Sequence, residues 1–414
     1  MRALADAGFK VTGIGRSRAS ALGSDPSADW VIRDIPAIEV DEWRRLLSGV
    51  DVVVNASGAL QDGARDDLEA IHVTAMARLV AAADALPLRI VQISAAGVSA
   101  AASTEFFRSK ARGDTILAAG AANWVILRPT LVLSPEAYGG TALLRAVAAL
   151  PLLLPKVLPE AQIQTVHVAD VAAAVVAAAR GEVPSGTIAD LTERDVRSFL
   201  DLTLRVRRWQ GYPPPVLTPA LPQAVLSISG RVADLLGQLG WRSPLRTTAL
   251  RALRDGIRGD PAPWDAVGGR LCKPLDETLA LMPATRQERL FARVYLALPL
   301  AIGTLALFWC LSGLIALVDP GRAMAVLAGS SAPAWASAGM VVGGALADIF
   351  LGLAILWRPW TKRAALGMIG LSCAYLGGSF LTAPGLWADP LGPMLKVFPG
   401  MMLAAMVWLL MEDR

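Results

Sequence analysis

Histidine is nearly missing. The chain has two, His72 and His167, in 414 residues, which excludes a histidine-rich metal site. Cysteine is scarce as well. Cys272, Cys310 and Cys373 are odd in number and far apart, so they supply neither a disulfide framework nor a metal-ligand spacing. They read as small buried hydrophobes. No Lys/Arg run with interleaved aromatics occurs and the net charge is only +4, so nucleic acid is not an expected partner. The opening stretch, MRALADAGFKVTGIGRS, lacks a basic segment followed by an apolar core, so no secretory signal is expected. What the chain has in excess is apolar residues. The hydrophobic share is 54% and the mean hydropathy +0.48, above the range of an ordinary soluble enzyme, with the surplus at the C-terminal end. The length allows two or three domains, and composition divides it at 1–200, 201–290 and 291–414.

In the first segment, apolar runs alternate with alanine-rich helical stretches. Val11–Ile14, Trp30–Ile32, Val50–Val54, Arg89–Ile93 and Trp124–Leu127 read as strands; Asp41–Leu47, Arg65–Ala85 and Thr104–Ala119 read as helices. Such alternation predicts an α/β fold with a parallel sheet between helices. Arg2 to Ala7, Gly8 and the run from Phe9 to Ile14 look like the second half of the first βαβ unit of a Rossmann domain. The strand and G-x-x-G-x-x-G turn that should come before are absent from the sequence. Such glycines let a pyrophosphate approach a helix N-terminus. Either the start was assigned too late or the loop was lost. The first is favoured, because losing a central strand would leave its neighbours' ladder groups unpaired.

Candidate site residues lie at the ends of these strands. Arg16, Ser17 and Arg18 follow the first, where an arginine suits the 2′-phosphate of NADP and a carboxylate would suit NAD. Asp34-Ile35 follows the second. Asn55-Ala56-Ser57-Gly58 follows the third. Ser94 ends the fourth, and Lys110 sits in the next helix. Arg128-Pro129-Thr130 ends the fifth, and His167-Val168-Ala169-Asp170-Val171-Ala172 follows later. Together, in this order, these segments resemble the short-chain dehydrogenases/reductases of the extended and atypical kinds: NAD-dependent epimerases/dehydratases, NmrA-like sensors and the NAD(P)-binding accessory subunit of respiratory complex I. The resemblance implies a nicotinamide cofactor, NADP favoured over NAD. Its adenosine end would be held by Arg16, Ser17, Arg18, Asp34 and Ile35. Asn55 to Gly58, Lys110, Pro129 and Thr130 would hold the nicotinamide end. It also implies a catalytic set of serine, tyrosine and lysine, and here the pattern departs. Ser94 is followed by Ala95, where the family often carries a second hydroxyl. Phe106 stands four residues before Lys110, where the family has its acid/base tyrosine. Lys110 therefore points to cofactor binding more than to catalysis. His72 and His167 read as structural, and Tyr138 as pocket-lining or a substitute acid.

The 201–290 segment holds a proline-rich loop at Pro213-Pro214-Pro215 and an amphipathic stretch, Val225–Leu239. In Pro244–Arg258, Arg251, Arg254 and Arg258 share one helix face, read either as solvated or as touching anionic lipid. Beyond 291, four apolar segments, 294–318, 334–357, 364–382 and 391–411, are each near the roughly 20 residues a spanning helix needs. Arginine and lysine flank the first span (Arg286, Arg289, Arg293) and the second link (Arg358, Lys362, Arg363). The positive-inside rule then predicts a multi-pass protein of the cell (inner) membrane, with the N-terminal domain and C-terminus cytoplasmic. Asp348 and Lys396 are ionisable groups inside spans, costly by about 2.5–3.5 kcal/mol each. Asp348 calls for a functional or pairing role within the bundle. Four spans with Lys396-Val397-Phe398-Pro399 are similar to the DoxX-like membrane family.

Three functions follow. The first is a membrane-anchored nucleotide-binding protein with weak or no dehydrogenase activity, sensing redox state or scaffolding a membrane-protein partner. The second is an active reductase or epimerase of a lipid-like or quinone substrate. The third is a small carrier or quinone-interacting bundle regulated by nucleotide. The missing hydroxyls favour the first.

Overall fold

A computed structural model describes residues 1–63, 66–84, 86–120, 123–325 and 333–411. The chain divides into two units. One is Met1–Asp234 with Ser243–Ala292; the other is Leu235–Arg242 with Arg293–Arg414. The 201–290 stretch is therefore not a body of its own. All of it except Leu235–Arg242 shares a unit with the first 200 residues.

In the first unit the chain runs α1 (Arg2–Asp6), β1 (Thr12–Gly15), α2 (Arg18–Ser24), β2 (Asp29–Ile32), α3 (Val40–Leu46), β3 (Val52–Asn55), α4 (Ala75–Ala83), β4 (Arg89–Ile93), α5 (Glu105–Gly120) and β5 (Trp124–Pro129). There follow β6 (Leu131–Leu133), α6 (Gly140–Ala148), β7 (Gln162–Ile163), β8 (Thr165–His167), α7 (Val168–Ala179), β9 (Thr187–Leu191), β10 (Arg197–Ser198), α8 (Phe199–Trp209), α9 (Gln223–Gln238), α10 (Thr247–Asp255), α11 (Ala262–Ala266) and α12 (Leu275–Leu281). Helix α9 runs four residues past the division between the units.

The central sheet is parallel, in the order β3-β4-β5-β9. Its β-branched runs are covered on both sides, as an all-parallel sheet requires. Alternation sends Ile90 and Ile126 to one face, against Trp43, Met76, Leu79 and Leu117. Val91, Val125 and Leu127 go to the other, against Val171, Val175 and Trp264. All five strand residues are fully buried. Strands β1 and β2 form a separate parallel pair. Among the described residues the sheet is thus in two pieces, with β1 paired only to β2 and β3 only to β4.

Some elements differ from the sequence-based expectation. The helix expected over Arg65–Ala85 opens with a π-type turn at Ala70–Thr74 before α4; Arg65 and Ala85 lie outside the described residues. Helix α10 stops at Asp255 because Gly256 takes φ +86°. Arg258 lies beyond it and donates to Gln162 Oε1 at 2.7 Å, so the three arginines do not form one helical face.

The second unit contains α13 (Arg286–Val318, which begins in the first unit), α14 (Pro320–Ala325), α15 (Ala334–Ala354), α16 (Thr361–Thr382) and α17 (Val397–Leu410). Three helices, Arg286–Val318, Trp335–Ala354 and Arg358–Thr382, are long and apolar enough to cross a membrane. Their outward surface is apolar: Leu300, Leu307, Ile315 and Leu381 are at least 62% exposed, a surface suited to lipid rather than water. The fourth expected span is shorter than expected. Helix α17 has 14 residues, about 21 Å, against a hydrocarbon core of about 30 Å. Gly392 at φ +57°, the neighbouring Pro390 and Pro393, and an Asp389 turn onto the Leu391 amide keep the preceding residues out of the helix. Lys396, expected inside a span, consequently stands at the N-cap of α17, exposed. Leu235–Arg242 packs into this unit. Trp241 joins the cluster built on Leu305, Ile355, Ala365 and Met368, and its indole donates to Leu356 O at 2.6 Å.

Candidate functional site

Open parallel sheets bind ligands beyond the carboxyl ends of their strands. Strand β3 ends at Asn55. Its Nδ2 donates to Gln92 Oε1 at 2.8 Å. Its Oδ1 accepts from the Ser57 amide at 3.1 Å and the Ser57 hydroxyl at 2.5 Å. The side chain thus shapes the turn Asn55–Gly58, leaving Ala56 and Gly58 exposed. A Cβ on Gly58 would stand 3.2 Å from His72 Nε2 and 3.5 Å from Lys110 Nζ. Glycine is what lets backbone come this close to both groups.

Lys110 lies on α5, buried at 7% exposure. Nζ donates to Ile93 O at 3.3 Å and lies 5.9 Å from the Phe106 ring centroid. Burial lowers its pKa, and the carboxylate of Asp114 one turn further on acts the other way. An ammonium has three donors, so Lys110 has capacity left for acceptors on a ligand.

Ser94 and Phe106 decide what the site can do. The Ser94 hydroxyl donates to Asp114 Oδ2 at 2.8 Å. Arg128 reaches the same oxygen through Nε at 3.2 Å and Nη2 at 2.9 Å. Asp114 is 4% exposed, and Oδ1 is without a partner. Its burial raises its pKa against the lowering effect of Ser94 and Arg128. Phe106 stands one turn before Lys110, its ring edge-on to His72 at 5.9 Å and to Phe107 at 5.0 Å.

His72 is fully engaged. Nε2 accepts from the Ala59 amide at 3.2 Å, which fixes the proton on Nδ1. Nδ1 then donates to Ser109 Oγ at 2.8 Å, and that hydroxyl donates to Phe106 O at 3.2 Å. Burial, then the nearby charges of Lys110 and Arg112, push its pKa down to about 4. A neutral ring with both nitrogens used holds the 55–59 turn onto α5; it does not serve as a base.

The remaining predicted residues are placed as follows. Arg16, at the end of β1, pairs with Asp66 at 2.8 Å, tying β1 to the loop after β3. Ser17 caps α2 by accepting from the Ser20 amide, and Arg18 opens that helix. Asp34 precedes a 3-10 turn at Ile35–Ala37. Ile35 packs on the Trp43 and Met76 cluster. Pro129 ends β5, and buried Thr130 donates to Thr192 Oγ1 at 3.2 Å. His167 caps α7 through Nδ1, and Tyr138 is 64% exposed, held only through its backbone to Thr141. The structure therefore brings Asn55–Gly58, Ser94, Phe106 and Lys110 together, with Arg16 tied to that loop. In the second unit Asp348 is buried and hydrogen-bonded to Tyr375 and Ser312, and Lys396 is not among its partners.

Three residues in these networks were not singled out from sequence. Asp114 sits four residues after Lys110, a spacing that reads as a solvated ion pair. Tyr375 is the tyrosine of the α16 span. Glu193, 1% exposed, accepts from Thr165 and from the Leu275 amide, holding α12 to the sheet edge. Cys272 is inert for a nucleophile: burial, then the charge of Asp170, push its thiol up to about 11.

The site thus presents a buried lysine with donors to spare, a glycine turn packed closely against it, and exposed backbone beside it. Residues 1–181 match the family described as NAD(P)H-binding, and residues 306–405 match the DoxX-like family. The chain thus carries an NAD(P)H-binding Rossmann-like domain followed by a DoxX-like domain, as the motifs led one to expect. The fold is similar to that of the Bordetella bronchiseptica enzyme WbmH in complex with NAD+, at 19% identity, covering 68% of this chain and 91% of that one, with a TM-score of 0.50. The UDP-glucuronic acid 4-epimerase of Bacillus cereus, in complex with UDP-glucuronic acid and NAD, has 15% identity, 71% and 94% coverage and a TM-score of 0.49. No curated protein matches the chain.

Proposed function

We propose that this is a membrane-anchored protein of the atypical short-chain class that holds a nicotinamide nucleotide as a sensing or structural ligand, with a degenerate catalytic set. The observation that carries the reading is the pairing of Phe106 with a Ser94 hydroxyl already committed to Asp114. Proton donation and carbonyl orientation thereby lose their usual groups, while Lys110 keeps free donors for a ribose. A bound nucleotide would supply hydride chemistry; this chain's residues bind and orient it.

NADP is the expected form. Arg16, which pairs with Asp66, and Arg18 are the groups this reading assigns to charge-assisted bonds with a 2′-phosphate. The basic groups in the first turns of α13 and around the start of α16 favour a cell-membrane placement with the first unit and the C-terminus in the cytoplasm, where the nucleotide is found.

The test is titration of the full chain in detergent with NADPH and NADH, followed by NADPH oxidation in vesicles with added quinones. NADPH should bind more tightly than NADH, with no quinone-dependent turnover above background. Absence of binding at millimolar cofactor overturns the nucleotide reading; robust turnover overturns the non-catalytic part of it.

A further inference from the structure

We infer that Asp348 is a proton-binding site inside the membrane unit, with Tyr375 and Ser312 as the two hydroxyls that satisfy it in either protonation state. This is independent of the nucleotide reading.

Asp348 lies on α15 at 6% exposure. Oδ1 accepts from the Tyr375 hydroxyl on α16 at 2.7 Å, and Oδ2 is 3.2 Å from Ser312 Oγ on α13. Three helices thus bring three polar side chains to one point. The point is built by glycines. A Cβ on Gly344, one turn before Asp348, would stand 2.8 Å from the Tyr375 hydroxyl. A Cβ on Gly313, beside Ser312, would stand 2.3 Å from Ala345 O and 3.2 Å from Asp348 Cβ. A larger residue at Gly344 displaces the Tyr375 hydroxyl, and one at Gly313 pushes on the α15 backbone at Ala345 that carries Asp348.

Among the described residues no cation faces the carboxyl. On α13 the titratable groups are Arg286, Glu288, Arg289, Arg293 and Tyr295 near its start, and Cys310. Helix α14 carries Arg322; α16 carries Lys362, Arg363, Cys373 and Tyr375. Of these only Tyr375 bonds to Asp348. A carboxylate in an apolar span with two neutral donors and no counter-charge is unfavourable. The small cation that removes that cost without new space is a proton. Both hydroxyls can donate or accept. With the carboxyl ionised, both donate to it; with it protonated, one rotates to accept. Neither state leaves a polar group unpaired, so the proton can come and go without rearrangement of the helices. Tyr375 is the outer member of the trio, at 36% exposure.

Infrared pH titration of the full chain in lipid vesicles, with carbodiimide labelling read by mass spectrometry, tests this. Expected is a carboxylic-acid carbonyl band that disappears as pH rises and is missing in Asp348→Asn. Labelling of the Asp348 peptide should fall about tenfold per pH unit above the midpoint. Tyr375→Phe, which keeps the ring, should move the band to higher frequency by removing one hydrogen bond. That variant and Ser312→Ala carry the test if Asp348→Asn is not recovered folded. A pH-independent band, or none, overturns the proposal. So does loss of the band when sodium replaces choline at fixed pH, because the occupant is then a metal ion.

Discussion

The Ser94 hydroxyl points at Asp114, 2.8 Å from Oδ2. Arg128 closes the same network. Removing the carboxylate in Asp114→Ala strands a guanidinium and a hydroxyl, at a cost of about 2–4 kcal/mol. Ser94→Ala costs only about 1 kcal/mol. Denaturant unfolding of the two singles and the double should show the double costing less than their sum, since both remove one contact. Additivity would argue against a shared network.

Lys110→Met should weaken NADPH binding by about tenfold or more, the loss expected when a charged donor to the ribose is removed. Folding should survive, because Nζ makes one long hydrogen bond, to Ile93 O, and a distant contact with the Phe106 ring. Fluorescence titration of NADPH reads the change; unaltered affinity would place the ribose elsewhere.

Phe106→Tyr restores a phenol one turn from Lys110. In an otherwise competent site a positioned proton donor contributes about 10²–10⁴-fold. Here no gain in NADPH oxidation is expected, since Ser94 stays bound to Asp114. A rate increase of that size in a quinone or carbonyl-substrate screen would show that the site lacked only the phenol.

His72 gives the first unit an acid limit. The folded protein releases this proton at about pH 4, whereas the unfolded chain does so near 6.5. Below the higher value the unfolded chain binds a proton that the folded one does not, so stability falls as pH drops from about 6.5 to about 4. The full loss is on the order of 3 kcal/mol, at about 1.4 kcal/mol per unit. His72→Gln should flatten that slope in pH-dependent unfolding; an unchanged slope would assign the acid sensitivity to other groups.

What was legible in the sequence depended on local pattern. Arg89–Ile93 forms the strand expected, because an apolar β-branched run suits a sheet buried on both faces. The two- and three-residue strands β6, β7, β8 and β10 carry no period and exist only through their tertiary partners. Asp114 was missed because nothing in its neighbourhood signals burial; the sheet and Arg128 create it. Asp348 stood out at once as a charge in an apolar run, but its partner did not. Lys396 looked available until the Gly392-Pro393 break placed it ahead of α17, and Gly344 gave the carboxyl's neighbourhood to Tyr375 instead.

The short stretch Leu235–Arg242 has a practical consequence. It belongs with α13 to α17, yet Ser243–Ala292 after it belongs with the sheet. The backbone is therefore stitched through both units, and no single scission separates them. A fragment ending at Ala292 would carry Trp241 severed from Leu356 and Ile355, its indole donor unmatched and its ring bare. One ending at Asp234 would lose α12, and with it the Leu275 amide that Glu193 accepts from. Soluble expression of the nucleotide domain thus calls for excising or replacing the eight-residue stitch, not merely trimming the spans.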